Sequence, residues 1–550
     1  MRKFLSITAL ILFLLSCQRE LVQGGYDRED NLQKCSVELS LDLDAVKTKA
    51  AIGNTEETKV TNLAVIARPL KSSVSASWAK AIVTEFGSPS ISDGRFSGQV
   101  EAYVGNNIFY VLVNYTPEMI GFINEQAVGD GKGLRENRES AFSPVISGGF
   151  GPKQEALMSQ FKDADRGIAM MAKCIDGGGN STVLITPNAT AMALSGELHR
   201  MIANVHMEFA TYPGTPGDVV IEGYIDKHAG EIPPNIYLDN VKPDKGSQAG
   251  WIPLASIRYC LNAINTKVYL EPSDDCHDPL VFPEDPNYLL DNILVPDGAD
   301  WDYADGYSND FIFWDPNDAA ALFGANPGTS SWMVTPPNLI YCPENTVSSV
   351  DFLSGFDLNT SYRRIAPRKA TTHLLIEAQF TPRYIITGRL AAGTRDHIYQ
   401  AFKERNNALA ILKDNEHLSA PGDGTFWTPD LQHFYNWDGV LAEIAYSQEM
   451  HSADHTYRQL TIDDFAKYPK GMCYYTAYIS GDTATDPDSG REYLTFMEGS
   501  SSIRRDASYT LRAKVLHVPS ISMTMMEINT SGTLEWPETD GSGEINIMPQ

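Results

Sequence analysis

The residue whose surroundings most clearly predict chemistry is Cys17. Two basic residues precede an apolar run from Phe4 to Leu15, and the run ends in the sequence Leu-Leu-Ser-Cys at residues 14–17. This is the layout of a secretory signal peptide that ends in the box recognised by a lipoprotein signal peptidase. We therefore expect Cys17 to become an acylated N-terminus, which anchors the chain to a membrane without a transmembrane helix. The alternative is a buried cysteine just inside an ordinary signal peptide.

The other candidate residues form no recognisable catalytic or metal site. The sequence contains no GxSxG, HExxH, Walker A or metal-spaced Cys/His motif. Two acidic clusters have the composition of calcium loops or solvated turns, and one histidine pair has the spacing that allows metal binding from one helix face. We expect solvated loops and a structural histidine pair, with no metal, no cofactor and no enzymatic activity. The residues are Asp300, Asp302 and Asp305, then Asp486 and Asp488, and His451 and His455.

Composition and charge limit the kinds of partner. The chain has 550 residues, 70 of them acidic and 43 basic, and a net charge of −27. Such an acidic surface argues against nucleic acid as a partner and suits a solvated extracellular protein. The length predicts two or three domains. The cysteines after Cys17 are scattered without a CxxC pair, so we expect isolated buried thiols, although an exported compartment permits a disulfide.

The elements that must position these residues are predicted to be mainly β-strands, because alternating apolar residues recur and long helical periodicity is rare. In the segment 36–44, four apolar residues alternate with polar ones, which predicts a half-buried strand with Val37, Leu39, Leu41 and Leu43 on one face. Further strands are predicted at KVTNLAVIARP, NNIFYVLVNYT (a central strand), RMIANVHMEF, THLLIEAQFTP, CYYTAYI and YTLRAKVLHVP, and a helix at 396–415. The Pro- and Gly-rich segment 211–218 predicts the boundary between two β-sandwich domains.

Taken in order, these segments resemble the type V pilins, the lipoprotein fimbrillins of Bacteroidales, and particularly the short-fimbria type. The resemblance covers residue 17 to about residue 518. Its landmarks are the box at Cys17, SVELSLDLD, TKVTNLAVIARP, NNIFYVLVNY, LHRMIANVHMEF, SIRYCLNAINTKVYL, HLLIEAQFTP, GMCYYTAYI and SSIRRDASYTLRAKVLHV. It implies a structural subunit of a cell-surface fimbrium that mediates adhesion and is built from two transthyretin-like β-sandwich domains.

The resemblance also implies a mechanism of assembly. A surface protease cuts in the loop after the first strand, lipid and strand leave together, and the groove receives a C-terminal strand of the next subunit. Known members are cut after arginine, whereas the matching loop here offers Lys47 and Lys49. The expected divisions are a signal peptide (1–16), a lipidated propeptide with the removable strand (17–49), an N-terminal sandwich (50–215), a C-terminal sandwich (216–519) and a tail (520–550). The donor-strand candidates in the tail are Met523, Met525, Ile528, Leu534 and Trp536.

The implied partners are other copies of the chain, other fimbrial subunits, a processing protease, and receptors on host or bacterial surfaces. The precursor would sit in the outer membrane through a palmitate-type anchor and later join the fimbrium. Because the tail is short, a tip or anchor role stands beside the stalk role. A further alternative is a surface lipoprotein that binds glycans through aromatic loop residues, unless these residues pack an irregular loop. They are Trp301, Tyr303, Tyr307, Phe311, Phe313 and Trp314.

Overall fold

The protein is mainly β, as the alternating sequence patterns predict. The computed structural model describes residues 33–43, 59–70, 79–92, 94–126, 134–135, 140–209, 218–222, 248–273, 311–345, 372–382, 384–386, 412–414, 423–429, 434–453, 455, 458–479, 482–485, 492–495, 503–515, 526–527, 529–535 and 544–547. These residues form two units. The N-terminal unit lies within residues 1–48, 60–136 and 170–198, and the C-terminal unit takes the rest of the chain.

The described residues of the N-terminal unit form two β-sheets and one helix. Numbered along the whole chain, its elements are β1 (Lys34–Leu43), β2 (Asn62–Pro69), β3 (Ile82–Gly87), β4 (Arg95–Tyr103), β5 (Gly105–Val113), α1 (Pro117–Glu125), β8 (Met170–Lys173), β9 (Ile175–Asp176), β10 (Thr182–Ile185) and β11 (Ala191–Gly196). One sheet has the order β4-β1-β11-β9. The other contains β8-β5-β2-β3, with β10 paired to β5.

A single apolar core lies between these two sheets. Val37, Leu39, Leu41 and Leu43 of β1 enter it from one sheet, and β2, β5 and β8 contribute residues from the other. Strand β5 is apolar on both faces and pairs with β2 on one side and β8 on the other, which confirms the prediction of a central strand. The arrangement is a β-sandwich, in which alternate residues of each strand face the core.

The C-terminal unit contains the remaining sheets and helices. Its strands are β6 (Lys162–Asp163), β7 (Gly167–Ile168), β12 (His199–Arg200), β13 (Ile202–Phe209), β14 (Asp218–Glu222), β15 (Gln248–Pro253), β16 (Arg258–Asn262), β17 (Ile264–Asn265), β18 (Phe311–Ile312), β19 (Met333–Val334), β20 (Ile340–Pro343), β21 (His373–Gln379), β22 (Thr381–Pro382), β23 (Tyr384–Ile386), β24 (Leu412–Asp414), β25 (Phe426–Thr428), β26 (Ala466–Tyr468), β27 (Met472–Tyr478), β28 (Asp482–Thr485), β29 (Glu492–Thr495), β30 (Ser508–Val515), β31 (Met526–Glu527), β32 (Asn529–Glu535) and β33 (Glu544–Ile547). The α-helices among its described residues are α2 (Phe150–Phe161), α3 (Ala319–Ala325) and α4 (Trp437–Ala453). None of the described helices of the chain is both long and apolar enough to cross a membrane.

Two larger sheets organise this unit. One has the order β20-β13-β30-β32-β33 and the other β19-β16-β21-β27-β31. The turn before β30 is fixed by buried charges, because the Arg505 guanidinium lies 2.9 Å from Glu344 and also donates to the carbonyl oxygens of Tyr269 and Leu270. A buried ion pair is tolerated when its remaining hydrogen-bonding groups also find partners, as they do here.

Most predicted strands are confirmed, and one predicted helix is partly wrong. Within the segment 396–415, residues 412–414 form strand β24, which pairs with β23, while residues 396–411 lie outside the described part. Helix α4 was not predicted, because its apolar residues are spread around its circumference. The predicted domain boundary falls largely on residues 210–217, which also lie outside the described part, and β13 before it belongs to the C-terminal unit.

Candidate functional site: the groove occupied by the first strand

Strand β1 lies in the middle of its sheet. On one side it pairs antiparallel with β4 from Lys34 to Asp42, and on the other it pairs parallel with β11 from Glu38 to Leu43. In this sheet β1 has a hydrogen-bonded neighbour on each side and is not an edge strand. Removing β1 would therefore leave two strands with unpaired backbone groups.

The side chains of β1 follow a strict alternation. Its four apolar residues Val37, Leu39, Leu41 and Leu43 are all 0% exposed. The residues between them carry polar side chains on the outer face of the sheet, where Asp42 meets Arg95 of β4 at 3.7 Å. This ion pair is solvent-exposed and contributes little to stability. The strand is consequently held by its backbone ladders and by its buried face.

Strands β4 and β11 form the two sides of the groove that β1 occupies. Leu41 lies opposite Phe96 of β4 and Leu194 of β11, and both of these residues are buried. Opposite Leu39, residue 98 is a glycine, and an added Cβ there would lie 2.8 Å from the Phe96 ring. A side chain at this position would displace that aromatic ring from the core.

A buried thiol marks one end of the groove. Gly196 lies opposite Leu43, and an added Cβ on Gly196 would be 3.4 Å from the Cys174 sulfur. Burial raises the pKa of the Cys174 thiol to about 12. Because the thiolate is the reactive form, this cysteine is inert while the core is closed.

Of the lipidation, cleavage and donor-strand residues predicted from the sequence, only Leu534 lies within the described part of the chain. Cys17, Lys47 and Lys49 lie outside the described residues, and so do Met523, Met525, Ile528 and Trp536 of the tail. Leu534 lies in β32, opposite Tyr509 of β30 and Ile545 of β33. In this arrangement the part of the tail from 529 to 535 is a strand of the chain's own C-terminal sheet.

The aromatic residues proposed for glycan binding pack within the C-terminal unit where they are described. Phe311 is buried, and the Trp314 ring packs edge-on against Phe150 at 5.8 Å. The Trp314 indole also donates to the carbonyl oxygen of Asp318. Trp301, Tyr303 and Tyr307 lie outside the described residues.

The acidic clusters at 300–305 and 486–488 also fall outside the described part. His451 lies near the end of α4, and His455 follows the helix with its ring 5.6 Å away. In the part of the chain that the structure describes, no three His, Cys, Asp or Glu residues are grouped to hold a metal ion. The groove of β1 is therefore the best-defined candidate site.

Comparison with known proteins gives matches in structure only. No family model and no curated protein matches the sequence. The chain is similar to the tip fimbrial protein Mfa3 from Porphyromonas gingivalis, with 12% identity, a TM-score of 0.32 and coverage of 91% of this chain and 100% of the other. It is also similar to a fimbrilin (FimA) from Porphyromonas gingivalis W83, with 10% identity, a TM-score of 0.34 and coverage of 90% and 96%. A third similar structure is a fimbrial assembly protein from Parabacteroides distasonis, with 9% identity, a TM-score of 0.29 and coverage of 92% and 96%. Because these values are low, the functional conclusion depends on the geometry of the chain itself.

Proposed function

We propose that the chain is a structural subunit of a cell-surface fimbrium that polymerises by strand exchange and so mediates adhesion. The observation that carries this proposal is the position of β1, a strand near the N-terminus whose apolar face is completely buried between β4 and β11. A strand at this end of the chain can be removed by a single cut without breaking the rest of the sandwich. The role is structural and not enzymatic.

Loss of β1 would expose apolar core surface and unpaired backbone groups that a replacement strand could cover. Each of its four apolar side chains contributes roughly 1.5–3 kcal/mol when it is buried, and the backbone groups of β4 and β11 would need new partners. A strand from a neighbouring subunit satisfies both requirements at once, since main-chain hydrogen bonds give affinity and alternate side-chain pockets give register. Subunits joined in this way need no covalent link.

The proposed cutting sites lie shortly after β1. Lys47 and Lys49 are only a few residues beyond Leu43, where β1 ends, so a cut there would free β1 together with a lipidated Cys17. Arg68 is a poorer site because it lies within β2 and is buried. Cys17 would hold the precursor at the outer membrane until this cut.

The tail is the proposed source of the donor strand, through Met523, Met525, Ile528, Leu534 and Trp536. For a stalk subunit, β32 must then leave its present place beside β30. A tip or anchor subunit is the second candidate role, and the pairing of β32 with β30 along Ser508–Val515 favours it. A terminal subunit accepts a strand and has no need to donate its own.

The N-terminus of assembled material tests the proposal. Edman sequencing of purified fimbriae should begin at Thr48 or Ala50. A mature N-terminus still at Cys17 would mark an anchor subunit that keeps β1 in place, and would overturn acceptance of a neighbour's strand by this chain. Palmitate labelling that persists after Cys17→Ala would separately overturn the lipid anchor.

A further inference from the structure

A pair of indole rings, the exposed Trp437 and the half-buried Trp427, marks a surface in the C-terminal unit that the proposed groove does not involve. Trp427 lies in β25, opposite Lys467 of β26, and exchanges two backbone hydrogen bonds with Tyr435 on its other side. Directly opposed residues of neighbouring strands share one face of a sheet. On this face the Trp437 ring lies 5.4 Å from the Trp427 ring, at an angle of 46°.

The two rings are held by a rigid support. The Asn436 side chain accepts a hydrogen bond from Gly439 N at 2.8 Å, which caps α4 and fixes Trp437 in its first turn. Deeper in α4, the Ser447 hydroxyl accepts from Leu460 N at 2.9 Å and ties the helix to the segment that leads to β26. The side chain of Val440, a residue of α4, is completely buried. The rings are therefore positioned before any ligand arrives, which lowers the entropic cost of binding.

The two faces of β25 differ in burial. Phe426, the neighbour of Trp427, is fully buried, stacks on Tyr468 at 4.8 Å and packs edge-on against Phe380 at 5.6 Å. Trp437 is 45% exposed and Leu441, one turn along α4, is 48% exposed. Among the exposed large hydrophobic side chains of the described residues, Trp437 alone is aromatic.

The size of this surface limits what can cover it. Trp437 and Leu441 together expose on the order of 200 Å² of apolar area, whereas a stable protein interface needs roughly 800 Å² from each partner. A second copy of the chain or another folded protein would thus find too little contact here. One or two flat-sided rings would cover the indoles almost completely.

Charge narrows the class of ligand further. The chain has a net charge of −27, which disfavours nucleic acid and other polyanions. The Lys467 ammonium lies 5.6 Å from the centre of the Trp427 ring. It provides hydrogen-bond donors beside an aromatic surface.

We propose that Trp427 and Trp437 form a platform for a neutral saccharide. The C–H groups on the apolar face of a pyranose ring pack on the indoles, and its hydroxyl groups reach the Lys467 ammonium. This site is separate from the aromatic residues at 301–314 and does not depend on strand exchange.

The test is calorimetric titration of the full mature chain with maltohexaose, cellohexaose, mannohexaose and chitohexaose at millimolar concentrations. We expect at least one of them to bind, Trp437→Leu to weaken that binding at least about tenfold, and Trp437→Phe to retain most of it, because only an aromatic face supports the contact. Leu184→Ala, which truncates an exposed side chain in the N-terminal unit, is the matched control and should bind normally. Circular dichroism establishes that each variant is folded.

Three results would overturn the proposal. The first is failure of all four saccharides to bind, and the second is equal binding by Trp437→Leu and the unaltered chain. The third is self-association that Trp437→Leu abolishes, because this would assign the surface to a second copy of the chain. Fimbrial ladders, the series of oligomer bands that polymerised subunits give on a gel, should be unchanged in Trp437→Leu. Loss of saccharide binding with normal ladders therefore separates this site from the proposed assembly function.

Discussion

Strands β1 and β32 differ in what holds them in place. In β1 every second residue from Val37 to Leu43 is apolar and completely buried, and the strand has a neighbour on both sides. In β32, with the sequence NTSGTLE, only Leu534 is a large apolar residue, and the ladder with β30 is irregular between Ala513 and Val515. Burial of apolar surface is the larger contribution to strand retention. We infer that β1 leaves only after a cut, whereas β32 can detach from its sheet as an intact part of the chain.

The largest effect is expected when β1 is released by cleavage between β1 and β2. Cys174, whose pKa burial raises to about 12, should then regain a normal thiol pKa and react with iodoacetamide at pH 8 at least about a hundredfold faster, because its thiolate fraction rises. Assembly should protect it again. Cys342 is equally buried but lies in the C-terminal unit, so peptide mass spectrometry should find it unreactive throughout. Equal labelling of Cys174 before and after release would show that β1 does not close the core.

A smaller effect is expected when one side chain of β1 is shortened. Leu41→Ala should lower the free energy of unfolding of the N-terminal unit by about 2–5 kcal/mol, because it leaves a cavity between Phe96 and Leu194. Ser40→Ala, at the adjacent exposed position, should change it by less than about 0.5 kcal/mol. Urea denaturation of the uncut precursor measures both. Similar losses for the two variants would contradict the assignment of the buried face.

The smallest change in stability is expected from removal of the tail. A chain that ends at Ser520 loses the ladder between β30 and β32, and its C-terminal unit should lose about 1–3 kcal/mol while the N-terminal unit keeps its stability. Calorimetry resolves this loss. If the tail is the donor, the same chain forms no ladders after trimming, whereas a tip subunit still joins a fimbrium. An unchanged melting temperature would show that β32 does not stabilise its own sheet.

The sequence was informative where one periodicity dominated. Alternation at Val37, Leu39, Leu41 and Leu43 predicted both the strand and its buried face, because a strand with one apolar side has only one favourable orientation. Alternation does not specify neighbours, so the parallel pairing of β1 with β11 and its central position could not be predicted. Those contacts join residues far apart in sequence.

Helix α4 shows the opposite case. The Asn436 cap was present in the sequence, but Trp437 and Leu441 are exposed apolar residues on the same helix that buries Val440, so no clear amphipathic pattern marked it. A surface that keeps apolar residues for a ligand weakens the pattern by which helices are recognised. The indole platform was missed for the same reason.

The central claim, that β1 must leave for the subunit to polymerise, can be tested with a reversible lock. Leu43 N donates to Gly94 O and Val104 N donates to Gln33 O, so odd-numbered residues of β1 form the hydrogen-bonded pairs with β4. Ser40 and Ser97 are therefore a non-hydrogen-bonded pair on the exposed face, with the close Cα spacing that a disulfide requires.

The measurement is laddering of the trimmed double variant Ser40→Cys with Ser97→Cys, before and after reduction, with Ser40→Cys alone as the control. With the disulfide closed, we expect a cut chain that keeps β1 in its groove and forms no ladders. Reduction should restore ladders to the level of the control. Normal ladders while the disulfide is intact would contradict strand exchange at this groove.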